Sequence, residues 1–316
     1  MQRRQLSRTD LQVSPLMLGG NVFGWTADEA TSFAILDAFV AAGGNFIDTA
    51  DVYSVWIPGH VGGESETVLG KWLKRSGKRK DVILATKVGM QMAPDKKGLK
   101  AAYVERAVED SLRRLQTDYI DLYFSHSDDA ETPIEETLGA YQQLIAKGKV
   151  RLIGASNYTG ARLRDALQLS NDKSLPSYQV LQPHYNLCVR DDYESTLEPV
   201  CAEYGLGVVT YFSLASGFLT GKYRSEADLK KSPRGRGARA HLNERGFRIL
   251  DALDVVAKNY KATDAQIALA WLMARKSVTA PIASATTVAQ VEELAGAMHL
   301  QLDHAAIEQL NSASAA

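Results

Sequence analysis

The sequence predicts a (β/α)8 TIM barrel carrying a short N-terminal β-hairpin, expected to span residues 1–316 as a single domain. Three observations predict it. Short apolar runs alternate with amphipathic helical stretches from about residue 16 almost to the end, the runs number eight, and they are apolar throughout instead of alternating in polarity. Strands apolar on both faces belong to a parallel sheet covered by helices. Eight repeats suit a closed barrel better than an open doubly wound sheet. The fingerprint G-x-G-x-x-G, which an open dinucleotide-binding sheet would carry after its first strand, is absent there.

Residues 2–14 read as the hairpin, with Arg3–Gln5 set against Gln12–Val13. Leu16–Leu18 is the first barrel strand, and Ile35, Leu36, Phe39 and Val40 then stripe a helix. Phe46-Ile47 is the second strand, followed by a helix with Val68, Leu69, Trp72 and Leu73. Val82–Ala85 is the third, with Val104, Val108, Leu112 and Leu115 on its helix. Tyr119–Ser125 is the fourth; its helix opens on Thr132-Pro133-Ile134-Glu135, a capping box with Pro at the first helical position. Leu152–Ala155 precedes a helix over 163–169, Val180-Leu181 one over 193–204, and Val208–Tyr211 is the seventh strand. A long polar stretch, 222–241, separates it from helices over 243–260 and 264–274. Thr279–Ala283 is the eighth strand, with helices over 288–297 and 303–313 behind it.

Composition narrows the function. The chain is 45% hydrophobic and 23% charged, with 36 basic against 37 acidic residues and a net charge of −1. Such a chain builds a sizeable core and gives no electrostatic reason to expect nucleic acid or a membrane as partner. Cys188 and Cys201 have no second thiol at metal-ligand spacing and read as reduced, and Met1–Arg4 leads into polar sequence without an apolar leader. A cytoplasmic protein is expected. The six histidines (60, 126, 184, 241, 299 and 304) show no zinc-type spacing, so no metal is expected.

Function in such a barrel gathers at the C-terminal ends of the strands. There the second strand ends in Asp48, with Tyr53 five residues into the loop, the third in Lys87 and the fourth in His126. An Asp at a strand end is usually a turn residue, and a lone Lys or His there is usually solvated. The convergence of four such groups points to chemistry, and it suits carbonyl reduction. A phenol near pKa ~10 is a poor acid at neutral pH; a neighbouring ammonium, Lys87, lowers that value. Asp48 keeps Lys87 charged and placed. His126 is placed to hydrogen-bond a carbonyl oxygen. Hydride must come from a cofactor, since no side chain supplies it.

The segments Gly44–Tyr53, Leu84–Gly89 and Asp121–His126 resemble three blocks of the aldo-keto reductase superfamily, and the likeness runs over nearly the whole chain. It implies NADP(H) as the usual cofactor and Tyr53 as general acid/base. Gly154-Ala155-Ser156-Asn157 is similar to the family's segment that holds the nicotinamide carboxamide, Gln182 to the glutamine that assists it, and Tyr211 to the aromatic under the ring. Ser156-Asn157 also reads as a helix N-cap. Ser213–Lys222 resembles the pyrophosphate loop, which implicates Ser213, Leu214, Ser216, Gly217, Leu219 and Lys222. Ala283–Glu293 resembles the adenosine-phosphate segment, with Ser284, Thr286, Gln290 and Glu293 at contact positions; Thr287-x-x-Gln290 is equally a capping box. Two departures leave NAD open beside NADP: residues 286 and 287 are neither Lys nor Arg, and Leu294 replaces the usual Asn. Arg234, Arg236 or Arg239 would then supply the charge for a 2′-phosphate.

Trp25, Val22, Trp56 and Tyr53 are expected around the substrate opening, an aromatic wall suited to a sugar or an aromatic carbonyl. The partner is therefore a small-molecule aldehyde, ketone or the matching alcohol. Two other readings remain open: a cofactor-binding regulatory subunit like the potassium-channel β subunits of the superfamily, and a Schiff-base aldolase using Lys87.

Overall fold

Eight short parallel strands close on themselves, and the closure decides where the functional groups meet. The computed structural model describes residues 2–315; Met1 and Ala316, the outer limits of the expected domain, lie outside the described residues. In chain order the barrel strands are β3 (Met17–Gly19), β4 (Phe46–Asp48), β5 (Ile83–Val88), β6 (Ile120–Ser125), β7 (Val150–Ser156), β8 (Val180–Gln182), β9 (Gly207–Thr210) and β10 (Ala280–Ala283). Each pairs in parallel with the next, and β10 returns to β3. Apart from the start of β7 every strand residue is buried, because one face fills the barrel and the other lies under helices.

Ahead of the barrel, β1 (Arg4–Gln5) pairs antiparallel with β2 (Gln12–Val13). The hairpin does mechanical work. Leu6, Leu11 and Val13 join Met17, Phe46, Ile83, Leu122, Val180 and Val209 in one apolar cluster, which plugs the N-terminal end of the barrel. Arg4 fastens it there by donating to the carbonyls of Met273, Val278 and Thr279.

The surrounding helices are α1 (Glu29–Ala41), α2 (Glu64–Ser76), α3 (Ala101–Leu115), α4 (Ile134–Ala146), α5 (Gly160–Lys173), α6 (Glu198–Tyr204), α7 (Glu244–Tyr260), α8 (Asp264–Ala274), α9 (Val288–Gly296) and α10 (His304–Ser314). Their apolar stripes face the sheet; Val104, Val108, Leu112 and Leu115 of α3 are all buried. No helix among the described residues is long and apolar enough to cross a membrane. Cys188 and Cys201 are buried and unpaired, and burial pushes each thiol up to about 12.

Two local expectations fail for identifiable reasons, and the polar stretch acquires structure of its own. The capping box at Thr132 does not form: Pro133 is the N-cap of α4, and the Thr132 hydroxyl donates to Asp129 at 2.6 Å. The expected 193–204 helix is split into a π turn, Tyr193–Leu197, and α6, because Pro199 lacks the N–H that would continue the ladder. The polar stretch 222–241 is ordered into two 3-10 segments, Glu226–Lys231 and Gly235–His241, pinned by buried Leu229 and Ala238.

Candidate active site

Register brings the ionisable groups together. Asp48 ends β4, Lys87 lies on the adjacent β5, and His126 follows β6, whose Phe124 is the register partner of Lys87. Tyr53 is returned towards them by a turn in which Thr49 N–H donates to Ala85 O, Asp51 N–H to Lys87 O and Tyr53 N–H to Ala50 O. The Lys87 ammonium is fully buried and spends its three donors on Asp48 Oδ2 at 2.7 Å, Thr49 O at 2.8 Å and Tyr53 Oη at 2.8 Å. Tyr53 in turn donates to Asp48 Oδ2 at 3.0 Å. The other Asp48 oxygen accepts from Gln182 Nε2 at 3.0 Å. The His126 ring stands edge-on to Tyr53, 6.0 Å between centroids.

The electrostatics differ from the expectation in one respect. Lys87 was expected to acidify the phenol; instead Tyr53 is pushed well above the usual phenol range, first by burial and then by Asp48, which accepts its proton. Burial also lowers the Lys87 amine, against the pull of Asp48. The resting site thus keeps a firmly protonated phenol beside a paired lysine. His126 is held well below the ordinary imidazole range by burial and then by Lys87, so it is neutral, and its Nδ1 has no partner.

That neutrality has a consequence for stability. A buried imidazole with a lowered pKa binds fewer protons than the unfolded chain, so its contribution is complete above about 6.5 and is lost as pH falls below it. Wild type should therefore lose up to about 1.4 kcal/mol more per pH unit below that point than His126→Gln. Urea unfolding at several pH values reads the difference; parallel curves would show that His126 charges freely in the fold.

A cavity of about 840 Å³ runs from Asp48, Tyr53 and His126 across the strand ends to Thr286, Gln290 and Glu293. Tyr211 lines it, with one ring face stacked on His184 at 5.2 Å and its hydroxyl donating to Asn157 Oδ1 at 2.8 Å. Asn157 Nδ2 donates to His126 O, and Ser156 Oγ to Gln182 O. At the far end Lys222 and Arg234 line the cavity, and neither has a carboxylate partner among the described residues. A flat aromatic face at one end and two uncompensated cations at the other fit a dinucleotide, its ring on Tyr211 and its phosphates by the cations.

The Aldo/keto reductase family model matches residues 15–315. The chain belongs to the aldo/keto reductase family. Among its relatives is the uncharacterized oxidoreductase YrpG of Bacillus subtilis, 36% identical over 98% of this chain and 95% of YrpG. A probable voltage-gated potassium channel subunit beta of Oryza sativa is 34% identical over 93% of this chain and 90% of its own length. The aldo-keto reductase yakc [NADP(+)] of Schizosaccharomyces pombe is 31% identical, with 92% and 84% covered. This family and its oxidoreductase-named relatives make the chain an enzyme, and aldo/keto reductases use nicotinamide cofactors.

Within this aldo/keto reductase, most of the expected residues meet the cavity: Ser156, Asn157, Gln182, Tyr211, Ser213, Leu214, Ser216, Gly217, Lys222, Arg234, Ser284, Thr286, Gln290 and Glu293 all line it. Some are differently employed than expected. Gln182 holds Asp48. Ser213 is spent on clasping β9 to β10, donating to Thr210 O and accepting from Ile282 N–H. The amides of Ala215, Gly217 and Leu219 turn back onto the carbonyls of Phe212 and Leu214, so they do not face a phosphate. Thr159, not Ser156 or Asn157, caps α5. Gln290 closes onto Thr286, at 2.8 Å from its amide, leaving Thr287 alone as the cap of α9.

Four expectations are corrected. Leu219 does not line the cavity, because after the backbone kink at Ser216 and Gly217 its side chain is fully buried in the core. Val22 is also fully buried. Trp25 is absent from the lining and stands behind Trp56, edge to face at 5.7 Å. Arg236 and Arg239 point elsewhere, Arg239 to an exposed ion pair with Glu226 at 2.9 Å, which leaves Arg234 as the loop arginine at the cavity. Asn21, Met90, Phe212 and Lys231 line the cavity and were not anticipated. Asn21 and Met90 each lie two residues beyond a barrel strand, a placement that would have marked them.

Proposed function

We propose that this enzyme reduces an aldehyde or ketone with hydride from a nicotinamide dinucleotide, NADP(H) by preference, and that Tyr53 delivers the proton. One observation carries the reading: the Tyr53 hydroxyl sits between Lys87 Nζ and Asp48 Oδ2, at 2.8 and 3.0 Å, on the floor of the large cavity. The cofactor would supply the hydride. Neutral His126 orients the carbonyl oxygen by hydrogen bonding, and as negative charge develops there the phenol gives up its proton. Lys87, already donating to the phenolic oxygen, stabilises the phenolate left behind. Asp48 holds that ammonium in place, and Gln182 holds Asp48.

The test is a broad carbonyl panel assayed with NADPH and NADH. Turnover supports the reading; tight cofactor binding without turnover on any carbonyl would instead favour a regulatory role such as the name of the rice relative describes. Borohydride trapping of a Lys87 adduct would favour aldolase chemistry.

Preference for NADP rests on Arg234, the loop arginine that lines the cavity. A charge-assisted contact is worth about 1.5–3 kcal/mol. Arg234→Ala should therefore raise the dissociation constant for NADPH by about tenfold to a hundredfold, with NADH changed less than about threefold. Tryptophan fluorescence titration reads both. Equal losses would place Arg234 on a part shared by the two cofactors.

A further inference from the structure

Tyr211 has a neighbour that the reductase reading leaves unused. The His184 imidazole lies stacked on it, 5.2 Å between centroids with the ring planes 20° apart, and His184 itself does not line the cavity. The backbone makes the pairing rigid. His184 and Tyr211 form a parallel bridge just beyond β8 and β9, and the Tyr211 amide donates to Pro183 O at 2.9 Å. Phe212, held in the left-handed region at φ 51°, meets both rings edge to face, 5.3 Å from Tyr211 and 5.4 Å from His184 between centroids. The Tyr211 hydroxyl is tied to Asn157 Oδ1 at 2.8 Å. With one face of Tyr211 taken by His184, a ligand ring stacked on the other has the imidazole directly behind its platform.

The hydrogen bonds around His184 determine which of its nitrogens carries the proton. Asn186 is fully buried, and its Oδ1 accepts from the amides of Cys188 at 2.8 Å and Val189 at 3.0 Å. Two donors on one oxygen fix the orientation of the side-chain amide. Its Nδ2 therefore points the other way, donating to Phe212 O at 2.8 Å and facing His184 Nε2 at 3.4 Å. An N–H facing a ring nitrogen needs a lone pair there, so Nε2 is bare and the proton sits on Nδ1. His184 is neutral by this construction. Burial, and then His241 of the Gly235–His241 segment, push its imidazole in the same direction, below the ordinary range. His241 lies beside Arg245 of α7, so that side of the pocket also opposes a second positive charge; Asp192, the carboxylate near the pair, acts on Tyr211.

Charge at this position bears on what Tyr211 is read to carry. A nicotinamide ring is neutral in the reduced cofactor and positive in the oxidised one. A neutral aromatic platform accepts both, and its π face attracts the cationic ring. An imidazolium behind Tyr211 would repel the oxidised form alone. We propose that His184 is a positioning residue for the cofactor: neutral, with its proton on Nδ1, it backs Tyr211 so that the platform admits the oxidised nicotinamide ring, which a cation in its place would reject. The inference rests on the reductase reading and deepens it, because it says how that same site discriminates between the two oxidation states of its cofactor.

The experiment measures dissociation constants for NADP+ and NADPH by calorimetric titration of wild type, His184→Phe and His184→Arg at neutral pH. Phenylalanine keeps a neutral ring on Tyr211, and arginine stacks on aromatic faces while carrying a fixed charge. The ratio of the NADP+ constant to the NADPH constant should stay within about twofold of wild type in His184→Phe and rise about threefold or more in His184→Arg. Nitrogen-15 NMR of the cofactor-free protein should show His184 neutral, with Nδ1 protonated and Nε2 bare. A purely structural histidine would shift the urea midpoint of the variants and leave the ratio unchanged, which would overturn the proposal. Equal losses for both cofactors in His184→Arg would overturn it too, since shape and not charge would then be at stake, as would an imidazolium or an Nε2-protonated ring in the spectrum. If wild type binds neither cofactor, the reductase reading itself fails and takes the inference with it; tight binding of both with a ratio indifferent to charge sinks the inference alone.

Discussion

Replacing Tyr53 by phenylalanine should lower turnover by about two to four orders of magnitude, the range ascribed to a positioned proton donor. The ring is kept, so the contact with Trp56 at 6.2 Å and the shape of the cavity floor survive. Lys87 loses one of its three acceptors but keeps Asp48 at 2.7 Å and Thr49 O at 2.8 Å. Binding of NADPH should therefore change less than about threefold, a free energy shift under about 0.7 kcal/mol, because the groups proposed to hold the dinucleotide, Tyr211, Lys222 and Arg234, are untouched. Single-turnover measurements, which isolate the chemical step, provide the check. Near-normal turnover in Tyr53→Phe would pass the proton-donor role to His126 or to solvent, and the raised proton affinity of Tyr53 would then be only a mark of burial.

Lys87→Met is expected to have the largest effect on stability. The lysine is fully buried, and its removal leaves Asp48, 2% exposed, as a carboxylate with no cation beside it. Breaking a buried pair from one side costs about 3–5 kcal/mol, most of it the penalty for the charge that remains. Gln182 and Tyr53 still donate to Asp48, so the lower part of that range is the better expectation. Adding Asp48→Asn to Lys87→Met should return much of the loss, since the uncompensated charge goes with it. Urea unfolding of both single variants and the double variant measures the coupling. Additive losses would mean that the two groups do not act as a pair. Turnover should not return in the double variant, because the phenolate would still lack its ammonium.

The two expectations rest on parts of the molecule that were legible to different degrees. The positions of Asp48, Lys87 and His126 could be read because each lies at the end of an apolar run, and strand ends define one face of a parallel barrel. The helices could be read for the same kind of reason: the 3.6-residue stripe is local, and Val104, Val108, Leu112 and Leu115 satisfy it within one segment. Capping was less legible. Thr132 precedes a helix with Glu135 three residues on, yet Asp129 competes successfully for its hydroxyl, and a sequence window centred on the helix gives no weight to that rival. Phe212 was illegible altogether, since its left-handed φ is imposed by Asn186 and Ala215.

By itself the sequence determined the barrel, the order of its strands and which ionisable residues stand at their ends, because periodicity and strand length are properties of neighbouring residues. Only the tertiary structure decided who bonds to whom at those ends. Gln182 lies 134 residues from Asp48 and holds it; burial first and then Asp48 raise the proton affinity of Tyr53; Trp25 packs edge to face on Trp56. These outcomes depend on groups far apart in the chain competing for the same few hydrogen bonds and the same buried space, a contest that is settled only when the barrel closes.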